Sequence, residues 1–247
     1  MGDQIVLNTQ PRVPTFFVTG NTSVSYTDNA ALTPNNRLDD TFFTANVAIA
    51  WTPHLAPRLG AELSANASIF RYDQNPVLDF QSLALGSGLF WSPENFANVG
   101  LFARYDFIEM FNRHSDEILQ DHEFTVGAQR GFVLGRAQAL FAGINLAVGW
   151  ATPETAQRDQ AGLFIDYRLQ MTRSVGLGVV YRFAGYFYND PDRIDRTQIL
   201  ATNVNYRLWE SVYISAFVSL AINRSDDSSF NYEAINSGGG LNATISF

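Results

Sequence analysis

The chain has 247 residues, a net charge of −8, no Cys and no Lys, so that all 16 of its basic residues are Arg. The acidic balance argues against a nucleic-acid partner, and the lack of thiols excludes disulfides and thiolate-bound zinc. No run of 18 apolar residues occurs, which excludes a membrane-spanning helix but not a barrel, whose strands dilute apolar side chains with polar ones.

From the N-terminus, residues 1–14 hold Pro11 and Pro14 and alternate poorly, as expected of a periplasmic tail or a plug segment in a barrel mouth. Met1-Gly2-Asp3-Gln4 has neither the basic start nor the apolar core of a signal peptide, so the sequence reads as that of a mature chain. Beyond residue 14, apolar residues recur at every second position in blocks of about ten, the period of a strand with one wet and one dry face. Twelve strands are predicted, near 15–26, 41–52, 59–71, 80–92, 97–109, 122–134, 136–150, 160–172, 175–187, 197–209, 212–223 and 239–247. Their connections alternate between short turns, such as Leu134-Gly135-Arg136, and longer polar loops near 27–41, 72–79, 110–122, 151–160, 188–197 and 224–238.

An even strand count with short turns at one rim and long loops at the other predicts an all-β fold: a transmembrane, antiparallel, up-and-down β-barrel over residues 15–247. In an outer membrane, both termini would then be periplasmic. The strand period assigns faces. Val47, Ile49 and Trp51 on the second strand, Ile144, Leu146 and Val148 on the seventh, and Leu163 and Ile165 on the eighth are assigned to lipid. Aromatics at strand ends mark the interfaces: Trp51, Trp91, Tyr206, Trp209 and Phe247 at the periplasmic rim, Phe43 and Trp150 at the outer one. Strict alternation sends Arg130 toward lipid, so either a bulge at Arg130-Gly131 re-aims it or it snorkels to the rim.

The inward parity carries Glu62, Arg104, Asp106, Asp166, Arg168, Arg182 and Arg207. Arg168, Arg182 and Arg207 fall on three consecutive strands and can form one basic stripe, suited to carboxylate or phosphate because the guanidinium offers paired donors. Two readings remain open. The charges either make a selectivity device in a water-filled pore, or form an internal network, Asp166 with Arg182 and Asp106 with Arg104 or Arg130. Phe70, Phe90, Phe102, Phe141, Phe164, Tyr213 and Phe217 share that parity and would narrow the bore, whereas inward glycines leave space.

An enzyme is not expected. His114-Ser115-Asp116 is contiguous, His54 and His122 lie elsewhere, and neighbouring side chains seldom converge into a triad. Asp190, Asp192 and Asp195, like Asp226 and Asp227, lack the spacing of a calcium loop, so neither metal nor cofactor is expected.

The stretch from Val24-Ser25-Tyr26-Thr27-Asp28-Asn29 through Asn35-Asn36-Arg37-Leu38-Asp39-Asp40-Thr41 resembles the start of β-barrel porins associated with exopolysaccharide-export loci. The resemblance covers about a tenth of the chain, implies transport or export, and transfers no site residues. More broadly the chain resembles bacterial outer-membrane proteins whose terminal aromatic is read by the barrel-assembly machinery, which Ile245 and Phe247 match. The implied partners are outer-membrane lipid, lipopolysaccharide, that machinery and other envelope proteins. The function expected is passage of small hydrophilic, anionic solutes; the alternative is a closed structural or export-associated barrel that anchors a larger envelope complex.

Overall fold

The computed structural model describes residues 13–94, 96, 98–189 and 192–247. The expected tail therefore lies almost wholly outside the described residues, as does Asp190. Twelve strands follow one another: β1 (Phe16–Thr27), β2 (Asp40–Trp51), β3 (Leu59–Tyr72), β4 (Phe80–Trp91), β5 (Val99–Asn112), β6 (Glu117–Gly135), β7 (Gln138–Thr152), β8 (Arg158–Gln170), β9 (Val175–Asn189), β10 (Asp192–Trp209), β11 (Val212–Ser225) and β12 (Tyr232–Ser246). A three-residue strand, His54–Ala56, sits in the β2–β3 turn and pairs with β3. Each strand is antiparallel to its sequence neighbours, and β1 pairs with β12 from Phe17↔Ser246 to Thr27↔Asn236, which closes the barrel.

The outer wall is apolar as the alternation requires. Val47, Ile49, Leu63, Leu85, Ile144, Leu146, Leu163, Val204 and Leu241 are all exposed. Trp51, Trp91, Trp150, Trp209 and Phe247 are exposed as well, Trp209 and Phe247 to 69% each, as side chains standing off the wall must be. A bulge between Arg207 and Trp209 aligns Trp209 with outward-facing Val212, where unbroken alternation would have turned it inward. At Arg130 there is no bulge. The β6–β7 ladder runs unbroken from Gln120↔Thr152 to Val133↔Ala139, and the irregularity falls at Val133/Gly135. Arg130 thus points outward opposite Val99, the first residue of β5, and lays its guanidinium 4.8 Å from the Phe132 ring centroid, in a snorkelling position at the short-turn end.

The strands are longer at the loop end than the sequence suggested. β6 begins at Glu117 rather than 122, β10 at Asp192 rather than 197, and β12 at Tyr232 rather than 239. Here polar residues occur on both faces, so the period-2 hydrophobic signal fades although the ladder continues. Inward pairs such as Thr197 Oγ1 to Asn223 Oδ1 at 2.7 Å take over from apolar packing. The loops that remain are tied down. Asn29, fully buried, donates to the carbonyls of Thr33 and Glu233 and accepts from Thr33 N–H. Buried Asp40 accepts from the N–H groups of Gln74 and Asn75 and from the Asn75 amide.

Burial by itself would raise the Asp40 pKa, but those hydrogen bonds outweigh it and hold the carboxyl below its ordinary value of 3.8. The stabilisation is therefore complete above that ordinary value and is lost as pH falls through the depressed one. Protection of the Gln74 and Asn75 amides, taken relative to their intrinsic exchange rates, should hold down to about pH 4 and fall only below it; a loss already near pH 5 would contradict the assignment.

The seam is held by backbone proximity. A Cβ on Gly240 would overlap the Thr22 carbonyl, and one on Gly238 would overlap the Val24 carbonyl, whereas one on Gly20 would meet nothing within 4 Å. Phe247 N–H donates to Phe16 O at 2.9 Å, and Thr15 N–H to Phe247 O at 3.0 Å, finishing the ladder. Gly240→Ala should destabilise the barrel by about 1–3 kcal/mol through overpacking against backbone. Gly20→Ala should fall within about 0.5 kcal/mol of wild type. Denaturant unfolding in lipid vesicles compares the two.

Candidate functional site: the barrel interior

The inner wall divides into two kinds of surface. Across β3–β5 the charges are paired with one another. Arg104 donates from Nη1 to Glu62 Oε1 (2.5 Å), from Nε to both Asp106 oxygens (2.8 and 2.7 Å), and from Nη2 to Ser64 Oγ (3.2 Å). The register explains the reach: Arg104 pairs with Gly88, and Gly88 pairs with Glu62. Gly86, one step along, pairs with both Ser64 and Asp106, and a Cβ there would run into the Arg104 guanidinium. The missing side chain at Gly86 leaves the trough in which the Arg104 guanidinium lies. One cation against two carboxylates makes this patch net negative.

The inward aromatics do not all stand into the bore. Phe102 lies over its cross-strand partner Gly127, Phe164 over Gly143, and Phe141 against Gly131, each ring filling space that a Cβ would need. Glycine on one strand and phenylalanine on the next let the ring lie along the wall. Toward the loop end, Phe70 stacks on Phe80 (4.2 Å between centroids) and Phe42 packs at a tilt against Tyr72 (5.1 Å).

Along β8–β11 the wall opens into three cavities. At the short-turn end, 760 Å³ is lined by Asp166, Arg168, Asn203 and Arg207, with Arg136 and Arg173 from the turns. Midway, 380 Å³ adjoins Arg182 and Phe164. At the loop end, 400 Å³ is bounded by Arg158, Tyr186, Tyr188, Arg193 and Asp195. Positive charge exceeds negative in all three linings.

The expected single stripe of Arg168, Arg182 and Arg207 is a descending series instead. Arg168 pairs with Gly178 and Arg182 with Phe164, which puts Arg182 four residues, about 14 Å, further along β9. Arg207 lies at the opposite end, its N–H donating to Ser174 O and its guanidinium to Arg173 O. The expected Asp166–Arg182 pair does not form. Asp166 sits opposite Val180 and turns to Arg168 on its own strand, whose Nε and Nη2 donate to it at 2.9 and 2.6 Å. Strand residues two apart share a face, and this neighbour is the nearer one. Among the described residues, no carboxylate lies within ion-pair distance of Arg182 or Arg207. Asp106 bonds Arg104 and not Arg130, which is on the other face.

The histidines do not meet. His54 is in the β2–β3 turn, His114 in a loop anchored on Asn112 Oδ1, and His122 on the outer wall with Nδ1 2.7 Å from Tyr105 Oη. Arg158 and Arg193 were missed because both fell inside predicted loops. The signal was present in Arg193-x-Asp195-x-Thr197, which extends the inward parity of Asn203, Asn205 and Arg207.

A closed, apolar-walled, twelve-stranded barrel with a polar interior is a transmembrane β-barrel of the outer-membrane type. No protein-family model matches the sequence, and no curated protein does. The fold is similar to an outer membrane channel from Pseudomonas putida F1 (TM-score 0.63, 12% identity, 99% of this chain and 100% of that chain covered). It is also similar to the β domain of the Bordetella autotransporter BrkA (0.54, 8%, 93% and 99%) and to a bacterial polysaccharide outer membrane secretin (0.53, 10%, 93% and 98%). At these identities the likeness is one of fold.

The two kinds of wall should respond differently to mutation. Arg104→Ala strands Glu62 and Asp106 and should cost about 1–3 kcal/mol in unfolding experiments. Arg168→Ala removes a pair whose arginine is 65% exposed and should cost under about 1 kcal/mol. Equal costs would refute the division.

Proposed function

We propose that the chain is an outer-membrane channel, termini in the periplasm, through which small hydrophilic solutes pass passively with a preference for anions. The observation that carries this is electrostatic. The chain as a whole is at −8, yet each cavity along β8–β11 has more arginine than carboxylate in its lining. Charge inside a cleft with low-dielectric walls acts on a permeating ion far more strongly than charge in open solvent. Arg182 and Arg207, which have no carboxylate within ion-pair distance among the described residues, are the principal attractors, and Arg168 is partly offset by Asp166. Arg104 contributes to the wall, not to selectivity, because Glu62 and Asp106 neutralise it. The fold shared with the Pseudomonas putida channel supports conduction in general terms.

Around the barrel, the exposed tryptophans and the apolar belt support contact with outer-membrane lipid and lipopolysaccharide. Ile245 on the last strand and Phe247 just beyond it, both exposed, support recognition by the barrel-assembly machinery.

Planar-bilayer recording tests the reading. Wild type should give discrete channels with a reversal potential favouring anions in a salt gradient, and Arg182→Ala or Arg207→Ala should move it toward the cation side. An absence of discrete channels, as in a closed anchoring barrel, or a cation preference indifferent to Arg182→Ala, would overturn it.

A further inference from the structure

The cavity at the loop end has the construction of a binding site rather than of a passage. The register sets Arg158 on β8, Tyr188 on β9 and Arg193 on β10 in one row, because Tyr188 pairs with both arginines. Their backbones are two strand spacings, about 10 Å, apart. Arg193 is only 6% exposed, and its guanidinium carbon lies 3.9 Å from the Tyr188 ring centroid and 3.5 Å from that of Phe230. Two aromatic faces thus fix the plane of the fork without occupying its donors. Asp195, also 6% exposed, is the only carboxylate within ion-pair distance of it among the described residues, with Oδ1 3.1 Å from Nε. The two atoms are not aligned for a hydrogen bond, so both are buried and unsatisfied.

Arg158 is held less tightly. Its guanidinium carbon is 5.3 Å from the Tyr186 ring centroid, one donor reaches Ala156 O, and Asp121 is 3.8 Å away. The roof is built from loops that are themselves fastened. Phe230 is held by its carbonyl to Asn223 Nδ2 at 2.7 Å, and Leu32 reaches in from the β1–β2 loop. A volume of 400 Å³ lies within the range of small-molecule sites, and donors dominate its polar lining.

We infer that this cavity is a docking site for a small oxyanion-bearing solute, a carboxylate or a phosphate, gripped between the Arg158 and Arg193 guanidiniums before it moves on toward Arg182. The inference rests on the anion-channel reading for its biological sense, but binding does not require conduction. A guanidinium fork meets two oxygens of one group with parallel donors, and a fork already immobilised by ring stacking loses little freedom on binding. Tyr186, Tyr188 and Tyr232, which also line the cavity, supply further donors to whatever polar body carries the charge.

The test uses the full chain in detergent micelles, with the thermal unfolding midpoint followed against acetate, inorganic phosphate or glucose at constant ionic strength. Wild type should be stabilised saturably by acetate, by phosphate or by both, which also identifies the preferred oxyanion, and not by glucose. The half-saturating concentration should rise at least about ten-fold in Arg158→Gln and in Arg193→Gln, and stay unchanged in Arg58→Gln, at the other end of the barrel. No saturable response, a response to glucose alone, or one that survives Arg158→Gln would overturn the site. Loss in Arg193→Gln alone would also overturn it, since Arg193 would then serve only to latch the Phe230 loop. Because the readout needs no current, a barrel that binds but does not conduct separates this inference from the channel reading.

Discussion

The structure depends on one constraint: in hydrocarbon, a backbone N–H or C=O without a partner costs several kcal/mol, so a sheet must have no edge. Closure falls to β1 and β12, the two strands farthest apart in sequence. Their approach is close enough that Gly238 and Gly240 have no room for side chains. Phe247 contributes twice, since its backbone exchanges hydrogen bonds with Thr15 and Phe16 while its ring approaches the Phe16 ring at 6.1 Å between centroids. Phe247 is thus a structural element of the seam.

Once the backbone is satisfied, the two faces obey different rules. Outward side chains need only be apolar, and packing among them is slack. Inward side chains must find polar partners or water. The wall solves this in two ways around its circumference. Across β3–β5, glycines, rings and the Arg104 network make a dense, self-satisfied surface. Across β8–β11 the arginines stand apart, and space remains between them. Gly86 on β4 shows how closely the first solution is specified, since a side chain there would run into the Arg104 guanidinium.

How much of this could be read in the sequence follows from the same division. Strand number, facing and girdle tryptophans are written in the period-2 alternation, which hydrocarbon enforces. Where hydrocarbon ends, the enforcement ends too. The outer parts of β6, β10 and β12 carry polar residues on both faces, and there Arg193 and Asp195 are indistinguishable from loop residues until the register is known. Pairings failed for a related reason. Parity tells that Asp166, Arg168 and Arg182 face inward, but the stagger between β8 and β9 decides that Asp166 is opposite Val180, and stagger leaves no mark in composition. For Phe102, Phe141 and Phe164 the bulk was visible in the sequence, but the glycine beneath each ring lies on a neighbouring strand and only the register reveals it.

The distribution of charge bears on which residues a solute would feel. Most of the acidic surplus lies in the connections, among them Asp28, Asp73, Asp116, Glu154, Asp226 and Asp227. These are solvated, and at physiological ionic strength a charge in water is largely screened beyond about 8 Å. The arginines of the interior face a narrower, less polarisable space, where the same Coulomb interaction is roughly four-fold stronger at an effective dielectric of ~20 than in bulk water. A rim of carboxylates therefore does not set the sign of the interior field, even though it sets the sign of the molecule. Within the barrel the sign changes around the wall, negative at Glu62–Arg104–Asp106 and positive from Arg158 to Arg207, so the field has a component across the bore as well as along it. An anion is drawn toward β8–β11, the side on which the cavities lie.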